Sequence, residues 1–356
     1  MHRTTPPDPR RAVAAWLFAC CALVFAMVVV GGITRLTHSG LSIVEWQPVI
    51  GAVPPLDDAQ WQAEFDKYKS SPEYRQRNFD MTLAGFKGIF WWEYGHRLLG
   101  RLIGAAFLVP FLYFLARGVV RGALAWRLAG IFLLGGMQGA VGWLMVASGL
   151  VDDPRVSSVR LAAHLGIAFL IYGAMLWVAL GLSSERGVRA SASLVRFSRA
   201  YAVLVFVMVL SGALVAGIHA GLAYNTFPLM NGQWIPDEIL LIEPRWKNFI
   251  FNMATVQLDH RAIAVFVAAG AATLWWTVRR ADTAPRERAW GNALLVAAAL
   301  QVSAGIATLL LRVPIPLAAI HQAGALIVFT CALGLAHALQ GGSDYNGKEV
   351  RRQTVM

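Results

Sequence analysis

The sequence predicts an all-α membrane protein of eight transmembrane helices, built as two tandem four-helix bundles related by a parallel pseudo-two-fold repeat. Three observations carry that expectation. Hydrophobic residues fill 57% of the 356 positions and charged residues only 14%, too little charge to clothe a water-soluble surface of this size. The apolar residues gather into eight blocks, each near the length of about 20 residues that a bilayer core demands. The first four blocks also share marker residues with the second four.

The blocks run over residues 12–34, 95–116, 127–147, 160–182, 199–218, 257–278, 289–311 and 316–339. The first follows Arg10 and Arg11, as in a signal peptide. It is longer than a signal h-region and has no small-x-small cleavage site, so it reads as a retained helix. Two connections are long, 35–94 and 219–256, and follow the first and fifth blocks. This spacing divides the chain into an N-terminal half, 1–183, and a C-terminal half, 184–356. In the first long connection Trp61, Phe65 and Tyr68 follow Pro54-Pro55 and Asp57-Asp58 at helical spacing. They predict a capped amphipathic helix with its apolar face on the bilayer or the bundle. Lying on the membrane surface is the preferred reading, and a lid over the site below is the alternative.

The net charge of +11 does not imply nucleic acid. With the N-terminus placed in the cytoplasm, the inner segments hold 17 basic and six acidic residues, and the outer side keeps 14 of each sign. That is the positive-inside pattern, which predicts an inner-membrane protein with both termini cytoplasmic. Its partner surface is then membrane lipid. Cys20, Cys21 and Cys331 all fall inside apolar blocks and predict no disulfide.

The repeat rests on colinear matches. Gly31-Gly32-Ile33 and Gly40-Leu41-Ser42 resemble Ala216-Gly217-Ile218 and Gly221-Leu222-Ala223. Gln138-x3-Gly142 in the third block matches Gln301-x3-Gly305 in the seventh, and His96-Arg97 in the second matches His260-Arg261 in the sixth. His164 in the fourth block matches His321 in the eighth. Equivalent helices point the same way, so the repeat is parallel and not inverted. The small residues Gly135, Gly136, Gly139 and Gly142 permit close approach of a helix or a flat ring.

His96, His164, His260 and His321 each stand in the first turn or two of an even-numbered helix, at one depth near the outer face. Ionisable residues inside a membrane are costly and mark function. Two imidazoles on facing helices supply both axial positions of a haem iron. Zinc needs three or four ligands, which one pair per half does not provide. Arg97 and Arg261 stand where they can meet haem propionates or snorkel to lipid headgroups. Glu93 precedes His96 by three residues and Gln257 precedes His260 by three, on the same helix face. A carboxylate can take a proton or stabilise a cation. An amide only hydrogen-bonds, so the first half is the candidate for chemistry and the second for a fixed cofactor. For Glu93, a helix-dipole charge is the plain alternative.

These residues, within GGITRLTHSGLSIVEWQPVIGAVPP (31–55), EYGHRLLGR (93–101), AGLAYNTFPLMNGQWIP (220–236), LDHRAIA (258–264) and AAIHQAGA (318–325), make the chain resemble the haem A synthase family over about residues 12–339. The resemblance implies an oxidoreductase that turns the C8 methyl group of haem O into a formyl group by two successive hydroxylations. It implies haem b on His260 and His321 and substrate haem O on His96 and His164, with Glu93 as catalytic carboxylate. Implied partners are the farnesyl transferase that makes haem O, oxidase assembly factors and an unidentified electron acceptor. Some relatives carry a cysteine pair in the first outer loop, and this chain has none. A di-haem electron-transfer cytochrome, a non-enzymatic haem carrier and a proton-coupled transporter are the competing readings.

Overall fold

The computed structural model describes residues 9–47, 50–183 and 190–341. His2, the terminal charges, Glu185, Arg186, Arg189 and the divide between 183 and 184 lie wholly or partly outside them. Among the described residues there are eleven α-helices and no strand longer than the bridge between Met230 and Gln233. Eight helices are long and apolar enough to span a membrane: α1 (Pro9–Leu36), α4 (Leu83–Ala116), α5 (Gly122–Ala147), α6 (Ser158–Ser183), α7 (Ala192–Gly217), α9 (Met253–Arg280), α10 (Pro285–Leu310) and α11 (Ile315–Ala338). The chain is a multi-pass membrane protein. The short helices α2 (Asp58–Lys69), α3 (Pro72–Gln76) and α8 (Asn248–Phe251) lie in the two long connections.

An inner quartet, α1, α6, α7 and α11, forms the centre. α1 packs on α6 and α11, α7 packs on α6 and α11, and α6 touches α11. The pairs α4/α5 and α9/α10 flank this quartet on opposite sides. Burial follows: 61% of the apolar window of α6 is covered by protein against 6% for α5, whose remaining surface is available to lipid. The inner seams combine apolar packing with a few polar ties. Tyr172 Oη and Thr330 Oγ1 join α6 to α11 at 2.8 Å, and Gln322 of α11 donates to the Val28 carbonyl of α1 at 2.6 Å. With no water to compete, such ties also fix helix register. Cys20, Cys21 and Cys331 are buried free thiols within α1 and α11.

The helix carrying His96 begins about three turns before the apolar block predicts. α4 spans 34 residues, roughly 51 Å at 1.5 Å per residue, well beyond a hydrocarbon core of about 30 Å. Thr82 starts it by accepting from the Gly85 N–H at 3.3 Å. Its projecting end stays helical because Phe86, Phe90 and Tyr94 recur on one face and are buried. α2, capped by Asp57 as predicted, lays Trp61, Phe65 and Tyr68 on that face. Trp61 meets Phe90 edge-on at 4.9 Å and Tyr68 stacks on Phe86 at 5.2 Å. The preferred expectation of a helix resting on lipid is therefore corrected. Its apolar face lies on the bundle, where six aromatic residues bury one another.

Candidate active site

Each of the four histidines rests on a glycine of a neighbouring helix. A Cβ placed on Gly31 (α1) would lie 2.8 Å from His96 Cε1, and one on Gly142 (α5) would lie 2.7 Å from His164 Cε1. The same arrangement recurs at Gly212 (α7) against His260, at 3.2 Å, and at Gly305 (α10) against His321, at 2.7 Å. Ordinary carbon contacts sit near 3.5–4.0 Å, so only glycine leaves room for each imidazole where it stands. Of the predicted glycine cluster in α5, Gly142 alone has this role; Gly135, Gly136 and Gly139 have nothing within 4 Å.

His164, His260 and His321 stand about two turns into α6, α9 and α11, and His96 nearly four turns into the longer α4. His96 and His164 are close enough to interact electrostatically, as are His260 and His321. The structure thus brings the predicted ligands together as two pairs. Among the described residues, no three His, Cys, Asp or Glu side chains converge on a metal position. Two imidazoles without a third ligand suit the two faces of a planar macrocycle better than a tetrahedral ion. Six buried side-chain atoms without partners lie at these places, Nδ1 of His96, His164 and His321, Oε1 of Gln138 and Gln301, and Nε of Arg261, besides others such as Glu287 Oε2 and His337 Nδ1 at helix ends elsewhere. Buried polar atoms normally have partners, so polar groups without partners here fit sites completed by a ligand.

The two pairs differ in the residue one turn before the histidine. Glu93 is 2% exposed and fully engaged. Its Oε2 accepts from Ser42 Oγ at 2.8 Å and the Ile43 N–H at 2.9 Å, and its Oε1 from Arg97 Nε and Nη2 at 3.1 and 2.7 Å. Gln257, also 2% exposed, donates to the Ala220 carbonyl at 2.7 Å and accepts from Arg261 Nη2 at 3.0 Å. Glu93 stands more than two turns inside α4, which removes the helix-dipole explanation for it. It is a buried carboxylate held by an arginine, a hydroxyl and a backbone amide. Arg97 also donates to the carbonyls of Ile43 and Glu45, and Arg261 to those of Tyr224, Pro228 and Leu229. Both arginines therefore clamp the long connections over the histidine pairs rather than snorkelling.

Sequence reasoning missed two features. Ser211 Oγ lies 2.8 Å from His260 Nδ1, whereas His96 Nδ1 has no partner. A serine among apolar residues of a membrane helix is a weak signal by itself. The second is a cleft of about 510 Å³ lined by His38, Glu73, Arg77, Asn78, Arg155 and His219. Burial and the nearby arginines push the imidazoles of His38 and His219 below their ordinary value. Both residues follow a long helix, α1 or α7, with left-handed backbone, φ 52° and 59°.

Comparison with known proteins agrees with this architecture. Residues 14–333 match the family described as cytochrome oxidase assembly protein. The chain is 56% identical to "Heme A synthase" of Nitrosospira multiformis over 93% of this chain and 94% of that protein. It is 51% identical to "Heme A synthase" of Nitrosomonas eutropha, over 92% and 93% of the respective chains. It is 45% identical to "Heme A synthase COX15" of Arabidopsis thaliana over 95% of this chain and 76% of that one. By the extent of the family match and by these identities, the chain belongs to the cytochrome oxidase assembly protein family.

Proposed function

We propose that this protein is a haem A synthase, an oxidoreductase that converts the C8 methyl group of haem O to a formyl group. The observation that carries this reading is the buried carboxylate of Glu93 one turn from His96, against the amide of Gln257 one turn from His260. We assign substrate haem O to His96 and His164, and haem b to His260 and His321. The chain then divides into a substrate half, 1–183, and a cofactor half, 184–356. Positive-inside charge supports an inner-membrane location with both termini cytoplasmic and the histidines near the periplasmic face.

Each hydroxylation adds the oxygen of one water to the methyl carbon and releases two electrons and two protons. Two rounds give a hydrated aldehyde, which loses water to become the formyl group. Glu93 stabilises positive charge developing on the carbon next to the macrocycle or takes a proton from the attacking water. Arg97 keeps that carboxylate in place through its two contacts. Arg261 retains a buried Nε for a propionate. When bound, haem b supplies a one-electron carrier between the substrate and an external acceptor.

The test is haem extraction and mass analysis of purified protein expressed with a haem O source. Haem A and hydroxylated haem O together with haem b are expected. Glu93→Gln should retain both pigments and lower conversion by about 100-fold or more, the scale of one well-placed acid–base group. Unmodified haem O from the wild-type protein, or full conversion by Glu93→Gln, refutes the assignment.

A further inference from the structure

We propose that Ser211 is the positioning residue of His260, fixing its tautomer and binding its cofactor more firmly than the substrate pair is bound. This inference rests on the assignment of haem b to His260 and His321. Ser211 Oγ lies 2.8 Å from His260 Nδ1 and 2.9 Å from the carbonyl of Met208, one turn earlier on α7. A serine has one proton to give. An imidazole whose Nε2 lone pair points at iron must carry its own proton on Nδ1. Both needs are met when His260 Nδ1–H donates to Ser211 Oγ and Ser211 donates to Met208. That relay leaves Nε2 as the only nitrogen available to a metal.

The other pair has no such support. Gly31 stands against His96 as Gly212 stands against His260, and left-handed His38 and His219 follow at the same separation from those glycines. In that register Val30 of α1 occupies the position of Ser211, with no group able to accept from an imidazole. His96 Nδ1 accordingly has no partner. An acceptor on the distal nitrogen orients a histidine ligand and raises its basicity, strengthening its hold on the oxidised metal. The difference suits one pigment that stays and another that arrives as haem O and leaves as product.

The experiment compares wild type with Ser211→Ala, Ser211→Thr, Val30→Ser and His260→Ala, each purified with bound haem. Two readouts independent of turnover are used: redox titration of the haem b optical signal, and transfer of haem b to excess apomyoglobin. Ser211→Ala should raise the reduction potential and speed transfer by about 10- to 100-fold, the usual scale for losing a ligand's supporting hydrogen bond. Ser211→Thr, which keeps the hydroxyl, should restore both. Val30→Ser should slow release of the other pigment. An unchanged potential and transfer rate in Ser211→Ala, with haem b lost in His260→Ala, overturns this inference alone. Haem b retained unchanged by His260→Ala overturns the assignment of the cofactor half and this inference with it.

Discussion

Adding one methyl group at Gly305 tests whether the four glycine–histidine contacts set the geometry of the pairs. A Cβ there would lie 2.7 Å from His321 Cε1, 3.3 Å from Nδ1 and 3.5 Å from Nε2. The imidazole must then retreat by most of an ångström or leave its rotamer. A side chain about 30° off its rotamer costs on the order of 0.5–1.5 kcal/mol, and forcing extra volume into a packed interior costs about 1–3 kcal/mol. If that strain falls on the ligand-bound state, pigment affinity drops about 5- to 150-fold, since roughly 1.4 kcal/mol is a factor of ten. Gly212→Ala is the graded comparison, because its Cβ would stand 3.2 Å from His260 Cε1 and needs only a few tenths of an ångström of adjustment. Gly136→Ala, with nothing within 4 Å, is the control. Haem b content per protein should fall in the order Gly136→Ala, Gly212→Ala, Gly305→Ala, measured as reduced-minus-oxidised absorbance during titration with haem. Equal retention in all three would refute the idea that glycine sets ligand position.

The buried carboxyl of Glu73, in α3, offers a pH test. Burial, and secondly the charge of Glu93, push it from 4.5 to about 7, against the opposing pull of Arg77 and Tyr68. The folded protein therefore keeps this proton where the unfolded chain has lost it. Stability from this group is complete below about pH 4.5 and is lost as pH rises through about 7, on the order of 3 kcal/mol in total. Melting of the wild-type protein should worsen between pH 5 and pH 8, and Glu73→Gln should remove most of that difference; identical slopes in the two proteins would count against it. Trp61→Ala should loosen α2 from α4, costing about 3–5 kcal/mol locally. Limited proteolysis within 53–80 should then speed up while pigment absorbance is unchanged, and unchanged cleavage would show that the aromatic cluster does not hold the helix.

The four histidines, Glu93, Gln257 and the eight spans were legible because each depends on residue type and spacing alone. The length of α4 was not. Lys87 and Glu93 interrupt the apolar run, and hydropathy stops where the helix leaves the bilayer. Thr82 as a cap, with Phe86, Phe90 and Tyr94 at four-residue intervals, was the signal for its true start. The destination of the apolar face of α2 was also open, since lipid and protein both welcome Trp61 and Phe65. One match of the repeat was one turn out of register, whereas Gly40-Leu41-Ser42 against Gly221-Leu222-Ala223 has the spacing that also relates Gly31 to Gly212. Gly31-Gly32-Ile33 resembles Ala216-Gly217-Ile218, but the glycine under a histidine in α7 is Gly212, four residues earlier. Residues four apart share a helix face, so small-residue patterns alone do not separate the two registers.

The tie between Gln322 and the Val28 carbonyl joins residues 294 positions apart. α1 therefore meets one of its permanent neighbours only after the helices between it and α11 have been made. Until α11 arrives, α1 and α6 expose to lipid the surfaces they will later present to it, and His260 stands without the His321 that the proposed haem b assignment pairs with it. Assembly of the second pair thus waits for α11, and a chain stopped short of Ile315 would be a membrane protein with one pair complete and the other half-built.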